Sequence, residues 1–335
     1  MNQYASREMV VRTQSDGLRA GSQTVGLKRP QYVLRYVQVS ECPACGRQGT
    51  RVDSLNRGVY RFGPFDIPYP SIGCIPIQRC GSCSLLYKGV VPDCTDLHRL
   101  YAEAAAHVQP ANRYCYRFER EYVVRFAGDR PSLDILDVGG RNGGLLRAFD
   151  GIPGRRSALD VMRNESCTRQ ISGEYILQSL EDPLQWSGEP YDVVLAFDVM
   201  EHRHRAGTAL SNLATLTRPG GVLVIQTADA GFVRTSSGLR RWWYLNHLDH
   251  HMAWTPESLA RAAKRAGFRL EHSEIGRHKD TKYMPVWKRA GAGLFRALRH
   301  VPGAVPVAVA LTSHDPRLVS EPGSDDHFTA VLRRQ

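Results

Sequence analysis

The chain has 335 residues, 42% apolar and 23% charged, proportions that fit one large folded domain plus a small one and exclude collagen-like, coiled-coil and low-complexity classes. Its formal net charge is +11, but the excess is mostly arginine scattered along the chain with no concentrated stripe, which suits a solvated basic surface better than a nucleic-acid groove. The longest apolar stretch, Ala304 to Leu311, is interrupted by proline and too short to cross a bilayer, and no apolar run follows the basic N-terminus, so a cytoplasmic protein is expected.

Residues 1–35 are polar and basic, rich in Ser, Gln, Gly and Arg, and lack periodicity; they are predicted to form a flexible arm. A small module is predicted over 36–94, where Cys42-Pro-Ala-Cys45 and Cys80-Gly-Ser-Cys83 form two knuckles with β-like segments at Val59–Gly63 and Ile75–Gln78 between them. Each C-x-x-C turn aims two sulfurs at one ion. Cys42, Cys45, Cys80 and Cys83 therefore make the ligand set of a closed, structural Zn2+ site in a reducing compartment, with a redox-active dithiol as the rival reading. Cys74, Cys94, Cys115 and Cys167 read as small apolar side chains.

Over 95–130 the apolar positions Leu97, Leu100, Tyr101, Tyr116, Phe118, Tyr122, Val123 and Phe126 recur at helical spacing and predict two linking helices. From 131 to 335 short apolar strands alternate with amphipathic helices. The strands are expected at Ile135–Val138, Ser157–Asp160, Tyr191–Phe197, Gly221–Gln226, Phe268–Leu270 and Phe328–Leu332. The helices are expected through Leu145 and Phe149, at Leu210–Leu216 and at Pro256–Ala266. This is the pattern of an α/β, doubly wound, mostly parallel sheet covered on both faces.

The strand Ile135–Val138 runs into Gly139-Gly-Arg-Asn-Gly-Gly, which opens a helix. Ligands of such sheets bind beyond the carboxyl ends of the strands, and glycine there permits tight turning and close approach of the backbone. No register of this turn provides Gly-x-Gly-x-x-Gly, because Arg141 stands where the second glycine would be, so a dinucleotide pyrophosphate is disfavoured.

What remains, Asp137-x-Gly139-x-x-x-Gly143 followed by Asp160 at the end of the next strand, resembles the first two motifs of class I S-adenosylmethionine (SAM)-dependent methyltransferases. Tyr191-Asp-Val-Val-Leu-Ala-Phe-Asp-Val-Met-Glu-His is similar to the fourth-strand motif of that family's small-molecule branch, and Arg218-Pro-Gly-Gly-Val-Leu-Val-Ile to its turn into the fifth strand. His250-His-Met-Ala-Trp-Thr-Pro-Glu-Ser-Leu and Ala266-Gly-Phe continue the likeness. Arg79-Cys-Gly-Ser-Cys-Ser-Leu-Leu-Tyr, with the step from Leu97 to Tyr101, resembles the zinc-ribbon leader of bacterial sugar, glycan and natural-product methyltransferases.

The resemblance implies a seven-stranded, Rossmann-like sheet and SAM as cofactor. Asp137 and the backbone of Gly139, Gly140 and Gly143 would hold the methionine end, Asp160 the ribose hydroxyls, Ser179 and Leu180 the adenine edge, and Asp198 and Val199 the region beside the methyl group. Arg141 either swings outward or reaches the cofactor carboxylate.

Methyl transfer from a sulfonium needs alignment and, for a hydroxyl or carbon acid, a base. His251 is the first candidate, then His202 and His250, which with His247 would lie over the cofactor in this fold; whether the methyl goes to O, N or C stays open. A metal held by His247, His250 and His251 with Asp249 is the rival role for this cluster. Trp242, Trp243, Tyr244 and Trp254 are expected to line an acceptor pocket rather than to form the insertion's own core. The basic amphipathic pattern at 288–301 suits either a membrane carrying a lipid-linked substrate or a helix covering the sheet. The expected partner is a small-molecule acceptor: a sugar, a glycan or glycolipid, or a secondary metabolite. The rival functions are an RNA methyltransferase, against which stands Asp198-Val-Met-Glu-His in place of an Asn/Asp-Pro-Pro-Tyr-like tetrapeptide, and a SAM-fold binding protein inactivated at Arg141.

Overall fold

The computed structural model describes residues 30–55, 59–62, 64–68, 74–104, 116–128, 130–141, 143–163, 165–169, 171–235, 239, 242–276 and 326–335. The segment 288–301, Cys115 and nearly all of the arm predicted at 1–35 lie outside them. The N-terminal part holds β1 (Tyr36–Gln38), β2 (Gly49–Leu55), β3 (Val59–Phe62), β4 (Phe65–Pro68), β5 (Ile75–Cys80), β6 (Leu86–Lys88) and β7 (Val90–Pro92), then α1 (Cys94–Ala104) and α2 (Arg117–Ala127). There follow β8 (Ile135–Val138), α3 (Gly144–Arg147), β9 (Arg156–Asp160), α4 (Glu165–Thr168), β10 (Tyr175–Leu177), β11 (Tyr191–Phe197), α5 (Ala206–Leu216) and β12 (Thr217–Ala228). The chain continues with α6 (Trp243–Asn246), β13 (Met252–Ala253), α7 (Pro256–Arg265), β14 (Phe268–Gly276) and β15 (His327–Arg334).

A seven-stranded sheet runs in the order β10-β9-β8-β11-β12-β15-β14. The first five strands are parallel to their neighbours, while β15 is inserted antiparallel between β12 and β14. The apolar strands are what such a sheet requires, because helices cover both faces. Alternation sends Leu136, Val138, Val194, Ala196, Leu223 and Ile225 into one core with α5 and α7. Ile135, Val193, Leu195, Val222 and Val224 point into the other, with Val123 of α2 and Leu145 of α3. Helix α7 starts cleanly because Thr255 and Ser258 form a reciprocal capping box with Pro256 at the first helical position, a device that contributes about 1 kcal/mol.

Two predicted elements differ in length. The helix expected through Leu145 and Phe149 is regular only over Gly144–Arg147 and ends in a run of tighter turns to Asp150. Phe268–Leu270 is the start of a strand that runs to Gly276, because β15 offers it a partner along that length. Among the described residues, no helix is long and apolar enough to cross a membrane.

The cysteine-rich part is tied into this architecture. Its four-stranded sheet has the order β13-β6-β5-β2, so its edge strand comes from far downstream, pairing Met252 with Tyr87 and Ala253 with Leu86. The first knuckle rests on the start of α5, where Gly207 N–H donates to the Pro43 carbonyl at 3.0 Å. A Cβ at Gly207 would lie 2.9 Å from the Ala44 carbonyl oxygen, so only glycine allows this approach.

Candidate cofactor and acceptor site

The strand order reverses between β8 and β11, and at such a switch point the loops beyond the two strands part to leave a crevice. The loop after β8 supplies the glycine turn. Gly139 and Gly143 have φ of 72° and 73°, and a Cβ at Gly139 would lie 2.9 Å from Val199 Cγ2 in the loop after β11. Beneath the turn Asp137 is 4% exposed, and a Cβ at Gly140 would lie 3.3 Å from its Oδ2. Asp160, at the end of β9, receives the backbone N–H groups of Arg141 and Met162, each at 3.3 Å. Burial pushes its carboxyl up, and those N–H groups pull against that.

Arg141 is left-handed, with φ 41°, and is exposed. Ser179 and Leu180 follow β10, the latter buried, and the Ser179 hydroxyl accepts from Glu181 N–H. Asp198, left-handed at φ 55°, directly follows β11 and donates its N–H to the Gln226 carbonyl. Asp137, Gly139, Gly140, Gly143, Asp160, Ser179, Leu180 and Asp198 are thus gathered at one edge of the sheet. A crevice with bare backbone at the glycines and acids on either side fits an adenosyl amino acid.

The histidines gather beside it. Glu201 and His202 form a 3-10 turn, Met200–His202, just after β11. The loop before β13 brings back His247, Asp249, His250 and His251. His202 Nδ1 lies 2.9 Å from the Asp249 carbonyl and His250 Nδ1 2.9 Å from the Tyr244 carbonyl. The His202 and His250 rings meet edge to face at 4.8 Å. His247, Asp249 and His250 hold donor atoms within 4.8 Å of one another. His251 turns elsewhere, its ring 4.2 Å from that of His204. It is 2% exposed, with neither ring nitrogen hydrogen-bonded among the described residues, and burial pushes its pKa well down.

The aromatic expectation is corrected for three of its residues: Trp242 and Trp254 are fully buried and Tyr244 is 1% exposed, so they build core instead of lining a pocket, while the side chain of Trp243 lies outside the described ones. Trp242 and Tyr244 stack on one another, 5.1 Å between centroids.

Several residues of the site carried no signal in the sequence. Lys88 of β6 is buried and its Nζ donates to the His247 carbonyl at 2.6 Å. Tyr60 of β3 meets His247 Nδ1 at 2.8 Å, and the Tyr101 hydroxyl of α1 donates to Asp249 Oδ2 at 3.0 Å. Glu201 stood inside a recognised motif, where an acid at the end of a parallel strand was the available hint.

The four knuckle sulfurs converge. Cys42 and Cys83, and Cys45 and Cys80, are 3.5 Å apart, and Cys45 and Cys83 are 3.8 Å apart. A tetrahedral ion with Zn–S bonds of about 2.3 Å spaces its sulfurs by about 3.8 Å, whereas a disulfide needs about 2.05 Å. The set therefore fits a metal. The Cys42 thiol, hydrogen-bonded to Cys83, holds that sulfur down at about 5, in the thiolate range. Cys74 and Cys94 are half-buried and touch Arg51 and His98, while Cys167 is buried.

A family model described as a methyltransferase domain matches residues 110–273. Over 162 residues the chain is 26% identical to highly reducing polyketide synthase 40 of Fusarium mangiferae, a match spanning 44% of this chain and only 6% of the synthase. Over 198 residues it is 24% identical to the ubiquinone biosynthesis O-methyltransferase of Aeromonas salmonicida, covering 52% of this chain and 83% of that one. A crystal structure of a putative methyltransferase from Bacillus halodurans aligns with a TM-score of 0.46 at 16% identity, covering 65% of this chain and 99% of the other. Residues 110–273 are thus a methyltransferase domain of the SAM-dependent kind.

Proposed function

We propose that the chain transfers a methyl group from SAM to a small-molecule acceptor: a sugar, a glycan or lipid-linked glycan, or a secondary metabolite. The observation that carries this reading is the glycine turn at the switch point, left-handed at Gly139 and Gly143 and flanked by Asp137 and Asp160. Asp137 and the backbone of Gly139, Gly140 and Gly143 would hold the amino-acid end, Asp160 the ribose, Ser179 and Leu180 the adenine, with Asp198 beside the methyl group. The cofactor supplies an electrophilic methyl on sulfur. The chain aligns the acceptor and removes its proton. His251 is the base in this reading: burial keeps the ring neutral at pH 7, and both nitrogens lack a hydrogen bond among the described residues. An oxygen acceptor is favoured by the likeness to an O-methyltransferase.

Zn2+ on Cys42, Cys45, Cys80 and Cys83 is the proposed structural metal, within a ribbon-like module at 36–94, ahead of linking helices at 95–130 and a catalytic domain from 131. Thiols held as ligands suit a reducing compartment, hence the cytoplasm. Calorimetric titration with SAM tests the reading: the parent should bind one equivalent, and Asp160→Ala should lose about 1–3 kcal/mol of binding. No heat with the parent protein, or an unchanged affinity in the variant, would refute the assigned site.

A further inference from the structure

Cys94 and His98 stand one turn apart on α1, with Sγ and Nε2 3.6 Å from each other. Residues four apart share a helix face, and a tetrahedral ion bound to a thiolate at about 2.3 Å and an imidazole at about 2.0 Å holds those two atoms about 3.5 Å apart. Glu181 follows Ser179 and Leu180 beyond β10, and His204 lies between β11 and α5; both come to the same place. The Cys94 sulfur, a Glu181 carboxylate oxygen and a His204 ring nitrogen lie within 4.8 Å of one another. Glu181 is 3% exposed. Its Oε1 accepts the Arg205 N–H, which aims the carboxylate, while the Arg205 guanidinium turns to Asp182 at 3.5 Å. Among the described residues no lysine or arginine pairs with that carboxylate, and burying one without a cation is costly. His204 Nε2 lies 2.7 Å from the Pro92 carbonyl. A carbonyl can only accept, so Nε2 carries the proton, and burial, which pushes the pKa of the ring down, keeps it neutral. Nδ1 then holds a lone pair, buried and with no hydrogen-bond partner among the described residues. A backbone carbonyl on the other nitrogen is the partner that orients metal-bound imidazoles.

We infer that Cys94, His98, Glu181 and His204 form a second metal site, apart from the four knuckle cysteines, that takes Zn2+ or an ion of like preference such as Co2+. One thiolate, two imidazoles and one carboxylate suit those ions better than Mg2+ or Ca2+. Four protein ligands close the coordination shell, so the site is structural. On binding, the metal–sulfur bond forms as the Cys94 thiol gives up its proton to solvent. The ion fastens α1, the helix that leads out of the cysteine-rich part, to the loops after β10 and β11. Glu181 adjoins Ser179 and Leu180, so the same ion steadies the loop assigned to adenine. That consequence rests on the methyl-transfer reading; the metal site does not.

The experiment is a Co2+ titration of the full chain carrying one equivalent of zinc, followed by near-ultraviolet and visible absorption, with zinc content measured throughout and SAM calorimetry in parallel. The expected result is one further equivalent of Co2+, with the d–d bands of a four-coordinate ion, a thiolate charge-transfer band and no zinc released. Cys94→Ser should abolish the charge-transfer band. Both it and His204→Gln, whose amide can still donate to the Pro92 carbonyl, should bind Co2+ at least ~10-fold more weakly, since even outer-shell losses cost that much. Circular dichroism and the equivalent of zinc should stay parental in both. Absence of the further equivalent in the parent overturns the inference, as does zinc displaced by the cobalt. A charge-transfer band that survives in Cys94→Ser, or an unchanged Co2+ affinity in either variant, overturns it too. Co2+ bound as expected without SAM binding sustains the metal site and sinks the methyl-transfer reading; SAM bound without Co2+ does the reverse.

Discussion

Lys88 joins the cysteine module to the loop that carries the histidines, and Lys88→Met isolates what its amine does. The side chain is 1% exposed, and Nζ donates to the His247 and Leu248 carbonyls at 2.6 and 3.4 Å. Burial pushes its pKa down to about 7, against the pull of Asp249, from an ordinary value of 10.5. Between those two values the unfolded chain binds a proton that the native state does not. Native stability therefore rises with pH across that window and is least below it. At about 1.4 kcal/mol per pH unit, less near pH 7 where the native amine is half protonated, the rise from pH 7 to pH 9 is on the order of 2 kcal/mol. Methionine keeps an unbranched stem and removes the titration, leaving the His247 carbonyl with the His250 N–H at 3.3 Å and taking the amine from the Leu248 carbonyl, a loss of about 1–3 kcal/mol that does not vary with pH. The stability of the parent relative to the variant should thus grow by about 2 kcal/mol between pH 7 and pH 9. Urea midpoints at several pH values, analysed with a common slope, measure it. Parallel pH profiles for the two proteins would show that burial does not hold this amine neutral, and the reasoning would fail.

Three other perturbations follow from the same geometry. Gly139→Ala puts a Cβ at a left-handed position, 2.9 Å from Val199, and should cost about 1–3 kcal/mol of stability together with SAM affinity; thermal denaturation and calorimetry at parental values would contradict the tight turn. Arg141→Gly removes a left-handed side chain at φ 41°, and should raise stability by up to ~1 kcal/mol, the relief of strain exceeding the extra freedom of glycine when unfolded; a lower midpoint would oppose this. Cys83→Ser, or chelation of the metal, should lower thermal stability and speed amide exchange at Met252 and Ala253, because β13 hangs on β6; parental exchange at those amides would show that the two parts are not coupled.

The sheet was legible because its signals are local. A strand buried on both faces must be apolar throughout, a helix on such a sheet needs one apolar face, and a turn such as Gly139–Gly143 must use glycine where φ is positive. The cysteine pairs are local in the same sense, since each knuckle sets its own two sulfurs. The insertion between β12 and β13 was harder, because aromatic residues look alike whether they line a pocket or fill a core; burial of Trp242 and Trp254 decided it.

The amino-acid sequence alone thus determined the α/β class, the glycine turn after β8 and the two cysteine pairs, all written in short-range spacing and periodicity. Only the tertiary structure decided that β13 would cross to β6, that Lys88 and Tyr101 would hold the histidine loop, and that His250 would return to Glu201 and His202. Those meetings join residues far apart in the chain, and their register is set by which strand edges pair and which charges can be buried together, quantities that no local pattern carries.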